Sequence, residues 1–383
     1  MKKYKFTGEK KVLNGVTLRR IVAVMDFYAQ KPYNPDAFDE FEYRFINKGT
    51  LGGWLESEEN LSHEGFAWVA DEACVYGKAK VIEGGLVYGE AQIFDEASIE
   101  NYARVFGRAN VYGDAVVTRR AAVWGNADLS CGYVTDDARI YGNAKLFGDS
   151  CGITVDDKAE IFEDAVIDSR NGDGISIGGE AKISGHARVI AKGNYEISIS
   201  DYARIEGCAE IYSGSSIRGE AHICESARVF GASIGGCAVV QGKTKVLEDA
   251  RIVGRARVCL HDDDGLEAYL RSGVFLDEDA EISTRSDYFI VDPITLEDKA
   301  FSMTFFRDSR KKMRVSLCRM LTGIPHRIGN ESYPISNSII LESLLYDDFE
   351  DDENVPSELI ETVLALAKIA RDRFAQRKTE EQA

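Results

Sequence analysis

Val105-Phe-Gly-Arg-Ala109-Asn-Val111-Tyr-Gly-Asp-Ala115-Val-Val117 holds two copies of the unit that decides the fold. Reading outward from it, Val, Ile or Leu stands at every sixth position from Val69 to Leu129. Ala stands two places before most of them, as at Ala73, Ala79, Ala91, Ala97, Ala103, Ala121 and Ala127. No α-helix or plain strand has a period of six. Such a period marks a chain wound into a β-helix, each hexad forming one side of a triangular coil. Residues two apart on a strand share a face, so the Ala and the aliphatic residue both point inward and the residue between them points out. Outward positions carry Lys80, Arg104, Asn110, Arg139, Lys145, Arg188, Arg204 and Arg228. Corners carry Gly, Asp or Asn, which tolerate the positive φ of a tight turn.

The pattern continues, with slips, to Val258. About thirty-one such sites make about ten coils, a prism roughly 50 Å long at strand spacing. Every slip follows one corner, after Leu129, Leu146, Ile167, Val189 and Val229; this corner follows Val75, Ile93 and Val111 in the regular stretch. The three lengthened turns fall on successive coils and predict one ridge containing Asp149, Ser150, Cys151, Asp168, Arg170, Asn171, Asp173, Lys192, Asn194 and Tyr195. Loops on a rigid scaffold are where sites usually lie, and Arg170, Asn171, Lys192, Asn194 and Tyr195 are the substrate-binding candidates. The alternative is that corners tolerate insertions at little cost. Counting register also aligns Tyr88, Phe106, Trp124, Tyr141 and Phe162 beside the third corner, and Tyr76, Phe94 and Tyr112 beside the first. Aromatic stripes of this size mark contact surfaces, to be covered by another subunit or by a terminal segment.

The 383 residues divide into an expected small β-rich N-terminal cap at 1–62, the β-helix at 63–284 and an α+β domain at 285–383. Val16 to Val24 reads as strand. An acidic insertion, His261-Asp-Asp-Asp-Gly265, interrupts the coils over 259–273, and Leu276 with Ile282 forms one more partial coil. Tyr288–Val291, Phe301–Phe306 and Met313–Cys318 read as strands, Ser338 to Tyr346 as a short helix, and Ser357 as the N-cap of a long amphipathic one. The net charge of −18 argues against nucleic acid or an anionic membrane as main partner. No leading apolar run or membrane-length span is present, so the expected location is cytoplasmic. Eight scattered Cys without C-x-x-C pairs read as reduced thiols, not a zinc site.

The unit V-x-G-x-A-x resembles the hexapeptide repeat of left-handed β-helix transferases. Gly52-Gly-Trp-Leu-Glu56 through Glu58 to Gly65 is similar to a segment preceding such repeats in phage and enterobacterial proteins, and the whole chain is similar to an enterobacterial type regarded as acetyltransferase by repeat alone. The resemblance implies left-handed winding, a trimer, and acyl transfer from acetyl-CoA or another acyl-CoA to a small hydroxyl or amino acceptor, with no tightly bound cofactor. It also implies a His as general base. Of the five His, the candidates are His261, His186 and His222; His63 precedes the coils and His326 lies in the C-terminal region. Register places His186 and His222 two coils apart and His261 two further, too far to share a metal. A phosphate-bearing donor needs cations, and Lys243, Lys245, Arg251, Arg255 and Arg257 lie close together in sequence near His261. The second reading is non-enzymatic: a scaffold or a ligand- or protein-binding module presenting the ridge and the aromatic stripe.

Overall fold

The computed structural model describes residues 2–31, 43–148, 152–260, 269–270, 274–276, 279–284, 287–296, 299–310, 313–321, 324–327, 333–334, 365–366, 368–369 and 372. His261, Asp149, Ser150, Cys151 and the helices expected from Ser338 and at Ser357 lie outside them, apart from helical Ala365, Leu366, Lys368, Ile369 and Asp372. The chain is mainly β and divides into two compact units, Met1–Gly207 and Cys208–Ala383.

Three parallel sheets of short strands form the first unit's solenoid. Gln92–Ile93 pairs with Cys74–Val75 on one side and with Asn110–Val111 on the other. Ser98–Ile99 does the same between Lys80–Val81 and Val116–Val117, and Arg104–Val105 between Leu86–Val87 and Ala122–Val123. Residues six apart therefore occupy different faces, and residues about eighteen apart stack. The inward Ala and aliphatic side chains are fully buried, Ala103, Val105, Ala109 and Val111 among them. The interior has room only for one small and one branched side chain per side, so the hexad is a packing rule of the prism.

The solenoid starts earlier than the hexad count suggests. Leu51–Leu55 pairs in parallel with Cys74–Val75, matching Leu55 to Val75, and Leu61 bridges Val81. Leu55 and Leu61 keep the six-residue step, but the next inward aliphatic, Val69, is eight residues on, which hides them. Val16–Ala23 continues the same sheet antiparallel to Leu51–Leu55, and Tyr4–Leu13 pairs beyond it. Leu18 packs with Trp54, Cys74 and Tyr76, with Leu13 and Val16 against them. This hairpin covers the first ring of the Tyr76–Phe94–Tyr112 column.

In the second unit Lys245–Val246 pairs with Arg228–Val229 and with Tyr269–Leu270, Arg251–Ile252 with Phe275–Leu276, and Arg257–Val258 with Glu281–Ile282. The last coil is thus complete, not partial. Leu270 supplies its first side, twelve residues after Val258 because the acidic insertion doubles one interval. Strand counts on the first sheet make about eleven turns. Three longer antiparallel strands follow, Tyr288–Leu296, Lys299–Arg307 and Met313–Leu321, with Ile324–Arg327 and Tyr333–Pro334 against the last. Met303, Phe305, Phe306 and Val315 are buried, and Phe275 N donates to Thr304 Oγ1 at 3.0 Å. Among the described residues this region is that sheet, with helix at Ala365, Leu366, Lys368, Ile369 and Asp372, so the expected α+β domain is not shown.

Corner chemistry is broader than Gly, Asp and Asn. Glu83, Arg119, Glu163 and Glu225 also hold φ between 56° and 58°, a conformation that costs an L-residue roughly 1–2 kcal/mol. Glu163 Oε2 accepts from Gly185 N at 2.7 Å and Glu225 Oε2 from Gly242 N at 2.9 Å. Asp71, Asp95 and Asp157 accept from the next coil's corner glycine in the same way. Each such bond offsets the strained turn by satisfying a backbone donor.

Lys3 is buried at the N-terminal edge. Its Nζ donates to Ala67 O at 2.7 Å and lies 5.3 Å above the Phe27 ring. Burial lowers its pKa from 10.5 to about 8. Below pH 8 both folded and unfolded chains are protonated, and the native state carries the full penalty. Between pH 8 and 10.5 the unfolded chain binds more proton, so stability rises with pH. The penalty amounts to about 3 kcal/mol at 1.36 kcal/mol per pKa unit. Denaturant melts at pH 7 and 9.5 should show wild type gaining on Lys3→Met by roughly 2 kcal/mol over that interval; parallel pH curves for the two proteins would refute the assignment.

Candidate functional site

The ridge exists, and it is sheet. Val166–Gly172 and Arg188–Gly193 run past the corner together, with Asn171 opposite Lys192 and Gly172 opposite Gly193. Asp173 N donates to Gly193 O at 3.1 Å. Arg170 is held: its guanidinium donates to Asp168 at 2.9 and 2.6 Å and lies 5.1 Å over the Phe147 ring. That pairing keeps the Asp168 carboxyl below the usual carboxylate range. Lys192 and Asn194 are exposed, and Tyr195 is 71% exposed. Of Asn171 only the backbone is described. The candidates share the ridge, but they lie along its crest.

Beneath the crest, Cys131, Ser169 and Ala191 are buried. Ser169 Oγ has no hydrogen-bond partner among the described residues. A Cβ on Gly148 would overlap both Ser169 Oγ and Cys131 Sγ. Gly148→Ala should therefore cost about 1–3 kcal/mol through overpacking. Ser169→Ala should be neutral or stabilising, because it removes an unsatisfied buried hydroxyl. The pair together should lose less than the sum of the two single changes in thermal melts; strict additivity would place the strain elsewhere.

The basic group is not brought together. Lys245, Arg251 and Arg257 are outward residues of three different sheets of one coil, so their side chains leave the prism in three directions. Arg255 sits on the corner between the last two and pairs with Asp279 at 2.8 Å. Lys243 is exposed at the preceding corner. No single phosphate can meet all five.

Among the histidines, His63 is structural. It stacks on Tyr4 at 4.3 Å, its Nδ1 accepts from Lys3 N at 3.3 Å, and burial lowers its pKa. His222 is half-buried, in register with Val239 in the second unit. His326 lies opposite Arg319. His186 ends a ladder that residue-type scanning missed, although the register could have found it. Asn126 Nδ2 donates to Asn143 Oδ1 at 2.9 Å, Asn143 Nδ2 to Asp164 Oδ1 at 2.9 Å, and His186 Nδ1 lies 3.7 Å from Asp164 Oδ2. The imidazole is 71% exposed.

Beside this polar ladder runs the aromatic one. Tyr88, Phe106, Trp124, Tyr141 and Phe162 stack at successive centroid distances of 4.7, 5.5, 4.4 and 5.0 Å, within 7° of parallel. All five are half-buried. Tyr76, Phe94 and Tyr112 stack likewise at 5.1 and 4.8 Å. The next residue in the five-ring column is Ser184, one coil beyond Phe162 and two residues before His186. The rings thus stop where the histidine begins, leaving a step on the third corner.

Among the described residues, no group of three or more His, Cys, Asp or Glu could hold a metal ion. No helix among them is long and apolar enough to cross a membrane. No family model matches the chain. No curated protein matches it. Among solved structures, a UDP-N-acetylglucosamine acyltransferase from Campylobacter jejuni is similar at 16% identity, covering 52% of this chain and 72% of that one, with a TM-score of 0.20. The solenoid assignment rests on the strand register of this chain itself.

Proposed function

We propose that the chain is an acyltransferase of the hexapeptide-repeat type, left-handed in winding and of the enterobacterial YdcK kind, acting in the cytoplasm. It moves an acyl group from acetyl-CoA or another acyl-CoA to a small hydroxyl or amino acceptor. The observation that carries the reading is the His186–Asp164 pair at the step where the aromatic column gives way to Ser184. The Asp164 carboxylate, 3.7 Å from Nδ1, favours the tautomer with the proton there and leaves Nε2 to take the proton of the acceptor as it attacks the thioester carbonyl. The carbon–sulfur bond then breaks, and the departing CoA sulfur takes up a proton. His261 keeps its place as an alternative base, and the resemblance implies a trimer. The five-residue basic group offers the donor no common face, so any docking there would use Arg255 with one neighbour.

Purified protein incubated with acetyl-CoA and a panel of small amines and sugars should release free CoA thiol above the acceptor-free rate. Calorimetry should register CoA binding at millimolar ligand. Neither signal would leave the second reading, a non-enzymatic binding module, which the half-buried five-ring stripe favours in its own right.

A further inference from the structure

A groove of about 440 Å³ lies at the second corner near the start of the solenoid, lined by Ser62, Glu64, Phe66, Ile82, Glu83, Asn101 and Tyr102 among others. Its volume falls in the range of small-molecule sites. Tyr43 stands beside Phe66, ring centroids 5.1 Å apart. Phe66 is 40% exposed, unusual for so large an apolar side chain placed beside carboxylates.

Two acidic residues line the groove beside these rings, and neither side chain has a partner among the described residues: no ion pair or side-chain hydrogen bond engages Glu64 or Glu83. Most acids on the corners do bond. Glu83 holds the strained left-handed conformation at φ 56°, as Glu163 and Glu225 do. Those two direct their carboxylates to a backbone N–H one coil on; Glu83 does not. A strained residue whose usual compensation is missing points to another use for its side chain. Asn101 donates Nδ2 to Thr118 Oγ1 at 2.8 Å, which leaves its Oδ1 as a further acceptor. The groove thus offers aromatic rings with negative quadrupoles, two carboxylates and an amide oxygen beside apolar Ile82, and among the described residues no cationic group lines it.

We propose that this groove binds a small organic ammonium ion, its charge against Glu64 and Glu83 and its alkyl groups against Phe66, Tyr102 and Ile82. Cation–π attraction strengthens when the cation is partly desolvated, to about 2 kcal/mol or more, and the carboxylates add to it. The site is separate from the His186 step. The third-corner strands run from Leu86–Val87 to Lys182–Ile183 in five steps, roughly 24 Å at strand spacing. A cation here cannot be the acyl acceptor at His186, so the two proposals stand or fall independently.

The test uses choline and its neutral isostere 3,3-dimethyl-1-butanol on the full chain, followed by ligand-detected NMR. Choline should bind at millimolar or lower concentration and the isostere at least ten-fold more weakly. Glu83→Gln and Tyr102→Leu should each weaken choline at least five-fold with unchanged melting temperature, while Glu90→Gln at the third corner should not. Equal affinity for the two ligands would show a merely apolar groove and overturn the proposal. So would no choline binding at 20 mM, a concentration of roughly that order being above any specific site of this class.

Discussion

Replacing His186 with Asn is expected to lower acyl transfer by about 10²–10⁴-fold, the usual contribution of a positioned general base, with the melting temperature unchanged. The side chain is 71% exposed and fills no core space, so its loss should be felt only in the chemistry. Asp164→Asn should cost less, because the amide still occupies the site and Asn143 still reaches it, but it no longer favours the imidazole tautomer with the proton on Nδ1. Extending the aromatic column should also interfere. Ser184→Trp would continue the ring stack over the step and block it, raising KM more than it lowers kcat. Turnover in His186→Asn equal to wild type would remove this histidine and leave His261 as the base to examine.

The hexad in the sequence was enough to place the core. Val105 and Ala109 are buried as the period requires, and both aromatic columns stack where counting one coil at a time, slips included, puts them. The same arithmetic separates residues that sequence proximity joins. Lys245, Arg251 and Arg257 are spaced by six, and a six-residue step in this fold is a change of face. Closeness in sequence suggested a phosphate cradle; the prism distributes it over three sides. The Asn126–Asn143–Asp164–His186 ladder is the converse case, residues far apart in sequence brought into one file. It was legible in principle, but polar corner residues vary in type and carry no hydrophobic signal. The groove at Phe66 was not legible at all. It depends on Tyr43 meeting Phe66 from outside the repeat, and no periodicity specifies that meeting.

Gly113→Ala should destabilise the chain by about 3 kcal/mol, combining left-handed strain of roughly 1–2 kcal/mol with overpacking of 1–3 kcal/mol. At most corners a glycine stacks over its counterpart one coil on: a Cβ on Gly89 would stand 3.0 Å from Gly107 N, and one on Gly107 3.0 Å from Gly125 N. Gly113 (φ 62°) has no such counterpart. The coil after it has the corner that is one residue short, Ser130-Cys131-Gly132, and a Cβ on Gly113 would overlap the Ser130 carbonyl oxygen. That contact is with backbone, which yields less readily than a side-chain end, and its neighbours are tied to adjoining coils through Tyr112 N to Leu129 O and Ser130 N to Leu146 O. Gly193 gives the control: at φ 75° it has nothing within 4 Å of a new Cβ, so Gly193→Ala should show the backbone strain alone, about 1–2 kcal/mol. Inserting one residue between Ser130 and Cys131 restores the six-residue step and should recover part of the loss in Gly113→Ala. Denaturant melts of the four proteins decide it, and equal losses at Gly113 and Gly193 would mean that the shortened corner does not press on the coil before it.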